Sequence, residues 1–168
     1  MNRIYNIALL SALMALVLAG TNTHAENTVS GTFTINDDAV KINHVYTDQG
    51  PNDIMIVLTD IAVPEDSIPF GVAGLAMEGK VRGIVLTMDP ESKQIDKQGY
   101  NVLYDKAWEG QLGTIGNGVL TIDKLDRDMI EGTIRTTGPN TYSDSFAEKD
   151  YVYTYDIKFK ANLVSRDL

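Results

Sequence analysis

The chain has 168 residues, no cysteine, and 14 basic against 23 acidic side chains, a formal net charge of −9. Without cysteine, thiolate metal sites, haem–thiolate ligation and thiol chemistry are excluded. The acidic balance argues against nucleic acid and anionic lipid as partners, since both demand a basic stripe, and is compatible with solubility, cation binding or a basic partner.

Residues 1–25 have the layout of a secretory signal. Asn2 and Arg3 open it, Ile7 to Gly20 is almost wholly apolar, and Thr23-His24-Ala25 places small residues where a signal peptidase reads. Cleavage after Ala25 is expected. The 14-residue apolar run is short of the roughly 20 residues that span a bilayer core. The competing reading is an uncleaved N-terminal anchor. No cysteine follows the run to take a lipid. With Arg3 removed, 13 basic residues face 23 acids, so residues 26–168 carry a net charge of −10. These 143 residues fit one β domain that needs no disulfide. The destination expected is the periplasm or the extracellular space, with no transmembrane segment after cleavage.

The remaining chain alternates with period two, as strands do. Val29, Gly31, Phe33 and Ile35 share one face, Asn36-Asp37-Asp38 supplies a turn, and Val40, Ile42, His44 and Tyr46 form the apolar parity of a returning strand. TDQGPND at 47–53 is a loop. Ile54 to Leu58 is a continuous apolar run, which fits a strand buried on both faces or covered by another element. One short helix is expected near 68–78, capped by Ser67 and stopped by Gly79. Further strands are expected at 80–88 and 100–105, and Gly118–Lys124 and Met129–Thr136 form a second hairpin around Asp126-Arg127-Asp128. A polar loop, GPNTYSDSFAEK, leads to the last strand. There Tyr151, Tyr153, Tyr155, Ile157, Phe159, Ala161 and Leu163 take one parity and polar residues mostly take the other, so one face is packed and one wet. The reading is mainly β: about eight antiparallel strands in a meander, closed into a barrel or packed as a sandwich.

The runs Gly31-Thr32-Phe33-Thr34-Ile35-Asn36 and Lys41-Ile42-Asn43-His44-Val45-Tyr46, with the apolar strand ending in Thr59-Asp60, resemble the start of a loose group of uncharacterised secreted bacterial β-proteins. The resemblance covers about half the chain beyond the signal. It implies export and a β fold, and carries no activity and no functional residues.

Each candidate site residue has two readings. His44, the one histidine left after cleavage, is either a ligand-binding or proton-handling group in a cavity or a satisfied core histidine. Tyr151, Tyr153 and Tyr155 either line a cavity for a sugar or aromatic ligand or form the wall of an ordinary core. Trp108, beside Tyr100 and Tyr104, marks a partner or glycan surface or caps the fold. Asp48 and Asp53 are a weak calcium pair, since DQGPND lacks the EF-hand pattern and polar hairpin turns look the same. The other acids group as Asp37-Asp38 and as Asp60 with Glu65-Asp66.

Catalysis has little to stand on. Ser143-Asp144-Ser145 lies outside any nucleophile elbow, and a hydrolase would have to work with acidic residues alone. No cofactor and no catalytic residue is expected. The sequence favours a non-catalytic exported scaffold that binds a protein partner, ahead of one that binds a small molecule or glycan in a tyrosine-lined cavity.

Overall fold

The computed structural model describes residues 26–68, 71–96, 101–103, 118–144 and 149–165. Along the chain run β1 (Thr28–Ile35), β2 (Asp38–Lys41), β3 (His44–Gln49), β4 (Ile54–Thr59), a 3-10 turn (Glu65–Ser67), α1 (Gly71–Met77), β5 (Gly83–Met88), β6 (Asn101–Leu103), β7 (Gly118–Leu125), β8 (Met129–Thr136), β9 (Asn140–Asp144) and β10 (Lys149–Asn162). The protein is mainly β, with two antiparallel sheets and one short α-helix among the described residues. In the first sheet the order is β2-β1-β10-β8-β7, with β9 also on β10, and in the second it is β3-β4-β5-β6.

This order corrects the expected meander. Consecutive strands pair from β3 to β6 and from β7 to β8, but the first strand pairs with the last, Thr28 opposite Lys160 through Ile35 opposite Tyr153. Beyond the end of β8, the 14-residue β10 pairs with β9, which occupies part of the segment expected to be a polar loop. Local alternation reveals that β10 has one buried face, but it carries no information about which strands flank it.

The first hairpin closes through Asn36 and Asp37, both at positive φ (45° and 67°), with Ile35 opposite Asp38. That is a two-residue type I′ turn, whose twist matches the strands it joins and which favours short polar side chains. In β1, Gly31 has φ +137°, and a Cβ there would run into the Asp156 carbonyl of β10, so the position requires glycine.

One apolar cluster takes side chains from both sheets, among them Phe33, Ile35, Ile56, Leu58, Leu86, Ile134, Tyr151, Tyr153 and Phe159. A second forms on the outer side of the second sheet, where Val57 meets Ile68, Val72, Ala76 and Val81. The unbroken Ile54–Leu58 run is thereby explained: Ile54, Ile56 and Leu58 belong to the shared core, and Val57 to the helix layer. Each such aliphatic side chain contributes about 1.5–3 kcal/mol on full burial.

The helix stops as Gly79 implies. Gly79 sits at φ 67°, its N–H donates to Ala76 O at 2.9 Å, and Lys80 N–H donates to Leu75 O at 2.9 Å, the pair of bonds of a Schellman cap. The expected capping role of Ser67 is corrected: it lies inside the 3-10 turn, four residues before the helix begins. Among the described residues no helix is long and apolar enough to cross a membrane.

Candidate functional site

The return strand expected over Val40–Tyr46 is two strands, and the break between them decides where His44 points. Val40 and Ile42 are buried in the shared core. At Asn43 the chain leaves the first sheet for the second: its N–H donates to Thr59 O at 2.9 Å and its Nδ2 to Asp60 O at 2.9 Å. Beyond it the buried parity is Val45 and Thr47, odd where it had been even. The reading that put His44 on the face of Val40 and Ile42 is therefore corrected. His44 and Tyr46 are half-buried on the opposite side of β3, their rings stacked at 6.4 Å and 19°. Tyr46 packs against the helix layer, and its hydroxyl accepts a hydrogen bond from Val63 N–H at 3.0 Å.

Tyr151, Tyr153 and Tyr155 are 0%, 1% and 3% exposed. They belong to the shared core beside Ile157 and Phe159, where the core-wall reading puts them. The Tyr153 and Tyr155 rings stack at 6.4 Å. His44 is thus on the wrong side of β3 to join them. Trp108, with Tyr100 and Tyr104, lies outside the described residues.

The acids disperse. Asp48 is half-buried on β3 opposite Met55, and Asp53 is exposed in the β3–β4 turn, which Gly50 N–H closes by donating to Asp53 O at 3.0 Å. Among the described residues no group of three or more His, Asp or Glu gathers as a metal site would need. Asp38 and Asp60 both face Arg82. Of the serine loop, Ser145 lies outside the described residues.

What the fold builds is a seam between the sheets. Past the first sheet, the tail of β10 crosses to the free edge of β3. The Thr47 hydroxyl donates to Asn162 O at 2.6 Å and accepts from Val164 N–H at 3.2 Å, while Gln49 N–H donates to Val164 O at 2.8 Å. Ser165 then pairs with Gln49 in parallel. Asn27 fastens the other end: its Nδ2 donates to Val45 O at 3.2 Å, and its Oδ1 accepts from Asn162 N–H at 2.9 Å.

Over this seam lies a cleft of about 380 Å³, lined by Asn27, Tyr46, Thr47, Glu65, Asp66, Ile68 and Val164. Glu65 and Asp66 are exposed and open the 3-10 turn, which has no basic residue in its last turn. Val164 is 53% exposed. A carboxylate rim beside fixed apolar surface can hold a cation and its hydrocarbon stem together. Of these residues, the sequence flagged only the Glu65-Asp66 pair as an acid cluster and Tyr46 as an apolar strand position.

A second depression of about 470 Å³ lies by β1 and β10, lined by Thr34, Asn36, Asp37, Pro139, Val152, Tyr153 and Thr154. Of the three β10 tyrosines Tyr153 therefore borders it, while being only 1% exposed. Here Asn36 is already engaged with β10. Its N–H donates to Val152 O at 2.9 Å, its Oδ1 accepts from Val152 N–H at 2.8 Å, and its Nδ2 donates to Asp150 O at 3.3 Å. The side chain extends the ladder past the end of β1, a structural task. Among known proteins, no family model, no curated protein and no solved structure matches this chain.

Proposed function

We propose that this chain is exported, loses residues 1–25, and serves as a non-catalytic β-sandwich that binds a protein partner in the cell envelope or outside the cell. The sandwich reading draws on two sheets that share one core while β2 and β3, consecutive in sequence, sit in different sheets. The observation that carries the binding reading is the cleft at the seam, where acidic and apolar side chains are exposed side by side on a fixed backbone. A small-molecule or glycan site among the β10 tyrosines draws less support, because those rings are buried.

The test is native mass spectrometry of the protein purified gently from its own host. A chain starting at Glu26 that carries a discrete protein adduct is the expected result. A chain retaining residues 1–25, or one carrying only a small molecule, would overturn the corresponding half of the reading.

A further inference from the structure

We infer that the cleft over the seam docks an extended basic segment of the partner, a lysine or arginine head meeting Glu65 and Asp66 and an apolar neighbour covering the exposed Val164, with the buried Ile68 as part of the floor; this rests on the partner-binding reading above. Three observations carry it. The first is charge. Among the described residues neither Glu65 nor Asp66 has a basic partner, and no basic side chain lines the cleft. The 26–168 chain has a net charge of −10. A cation arriving there meets two carboxylates that have no basic partner among the described residues, and the negative net charge favours its approach.

The second is size. About 380 Å³ sits at the small end of the range of ligand pockets, roughly 300–1,000 Å³, so it fits one or two side chains and not the face of a domain. The third is preorganisation. The backbone of Val164 is held on both sides by Thr47 and Gln49, and the Tyr46 hydroxyl is pinned to Val63. The apolar surface is therefore presented on a strand tail that needs little further ordering on binding. A cation anchored beside an apolar contact is also how a long basic side chain is best satisfied, stem on hydrocarbon and head on carboxylate.

The experiment is an amide-shift titration of the 26–168 protein with a blocked hexapeptide alternating lysine and leucine. Controls are the same peptide with glutamate for lysine and with serine for leucine. Shifts confined to Asn27, Tyr46, Glu65 to Ile68 and Val164 are expected with the lysine–leucine peptide. The serine peptide should bind several-fold more weakly, and the glutamate peptide not at all. The double variant Glu65→Gln/Asp66→Asn should weaken binding by roughly 5–10-fold and flatten its salt dependence. Val164→Ser, an exposed position, should weaken it about 3-fold without touching charge. Equal binding of the lysine and glutamate peptides, shifts mapping elsewhere, or an unchanged affinity in the double variant would each overturn the assignment. Native mass spectrometry of the double variant from the host separates the two levels. A partner retained undiminished overturns the cleft and leaves the partner reading standing. Absence of any partner from the wild type overturns that reading.

Discussion

Arg82 and Asp60 hold each other twice: Arg82 N–H donates to Asp60 Oδ1 at 2.8 Å, and Arg82 Nε donates to Oδ2 at 2.9 Å. The same guanidinium reaches Asp38 through Nη1 at 3.2 Å, so one side chain joins the hairpin of the first sheet to the β4–β5 end of the second. The two contacts differ in environment. Asp60 is 12% exposed at its side chain and Asp38 is 49% exposed. Asp60→Ala leaves the half-buried Arg82 backbone donor without its acceptor and is expected to cost about 1–3 kcal/mol. Asp38→Ala removes a solvent-screened pair and is expected to cost about 0–1 kcal/mol. Urea unfolding of the two variants checks the ranking, and equal midpoints would mean the buried contact has no special weight.

Tyr153 fills the core from the longest strand, 1% exposed and stacked on Tyr155. Tyr153→Ala should therefore cost about 3–5 kcal/mol, the range for emptying a large aromatic site. Binding of the basic hexapeptide by the folded fraction should be unchanged, because the ring does not line the seam cleft. A variant of wild-type stability would show that the ring is not a core element.

How much of this was legible in the sequence depends on whether the deciding contact is local. The Asn36-Asp37 turn, the Gly79 stop, the β7–β8 hairpin and the wet-and-dry alternation of β10 all rest on residues a few positions apart, and all appear in the structure. A parity count puts His44 on the wrong face because it assumes an unbroken strand. The change of sheet at Asn43 inserts one odd step, and a shift of one residue moves every later side chain to the other face. The cleft was illegible for a different reason. It joins residues 27, 46–47, 65–68 and 164, which only the crossing of the β10 tail onto β3 brings together.

Gly31 offers a test of the β1–β10 pairing itself. Its φ of +137° is a conformation L side chains rarely adopt, and a Cβ would collide with the Asp156 carbonyl. Gly31→Ala is expected to destabilise by about 1–3 kcal/mol, against a usual gain of several tenths where alanine fits. An alanine variant as stable as the parent, measured by thermal or urea unfolding, would mean the two strands do not approach at this register.

Acid should loosen two turns before it reaches the core. The Asp89 carboxylate accepts hydrogen bonds from the backbone N–H of Ser92 and of Glu91, each at 2.8 Å, which holds its pKa below the ordinary carboxylate value of about 3.9. Asp126 is likewise held low, by the Lys124 ammonium at 2.8 Å and then by the backbone N–H of Asp128. A carboxylate depressed in the folded state binds its proton more readily in the unfolded chain. Its stabilisation is thus fully present above the unfolded value and fades as pH falls through the lower folded value. Stability should then decline below about pH 4, and Asp89→Ala should decline less steeply because it has already lost that linkage. Urea midpoints of the parent and of the Asp89→Ala and Asp126→Ala variants between pH 6 and 2.5 measure this directly. Parallel curves for all three would show that neither turn carboxylate is coupled to folding. A narrowing gap between parent and variants towards the acid end is the expected result, since protonated Asp89 and Asp126 lose the charge that strengthens their hydrogen bonds.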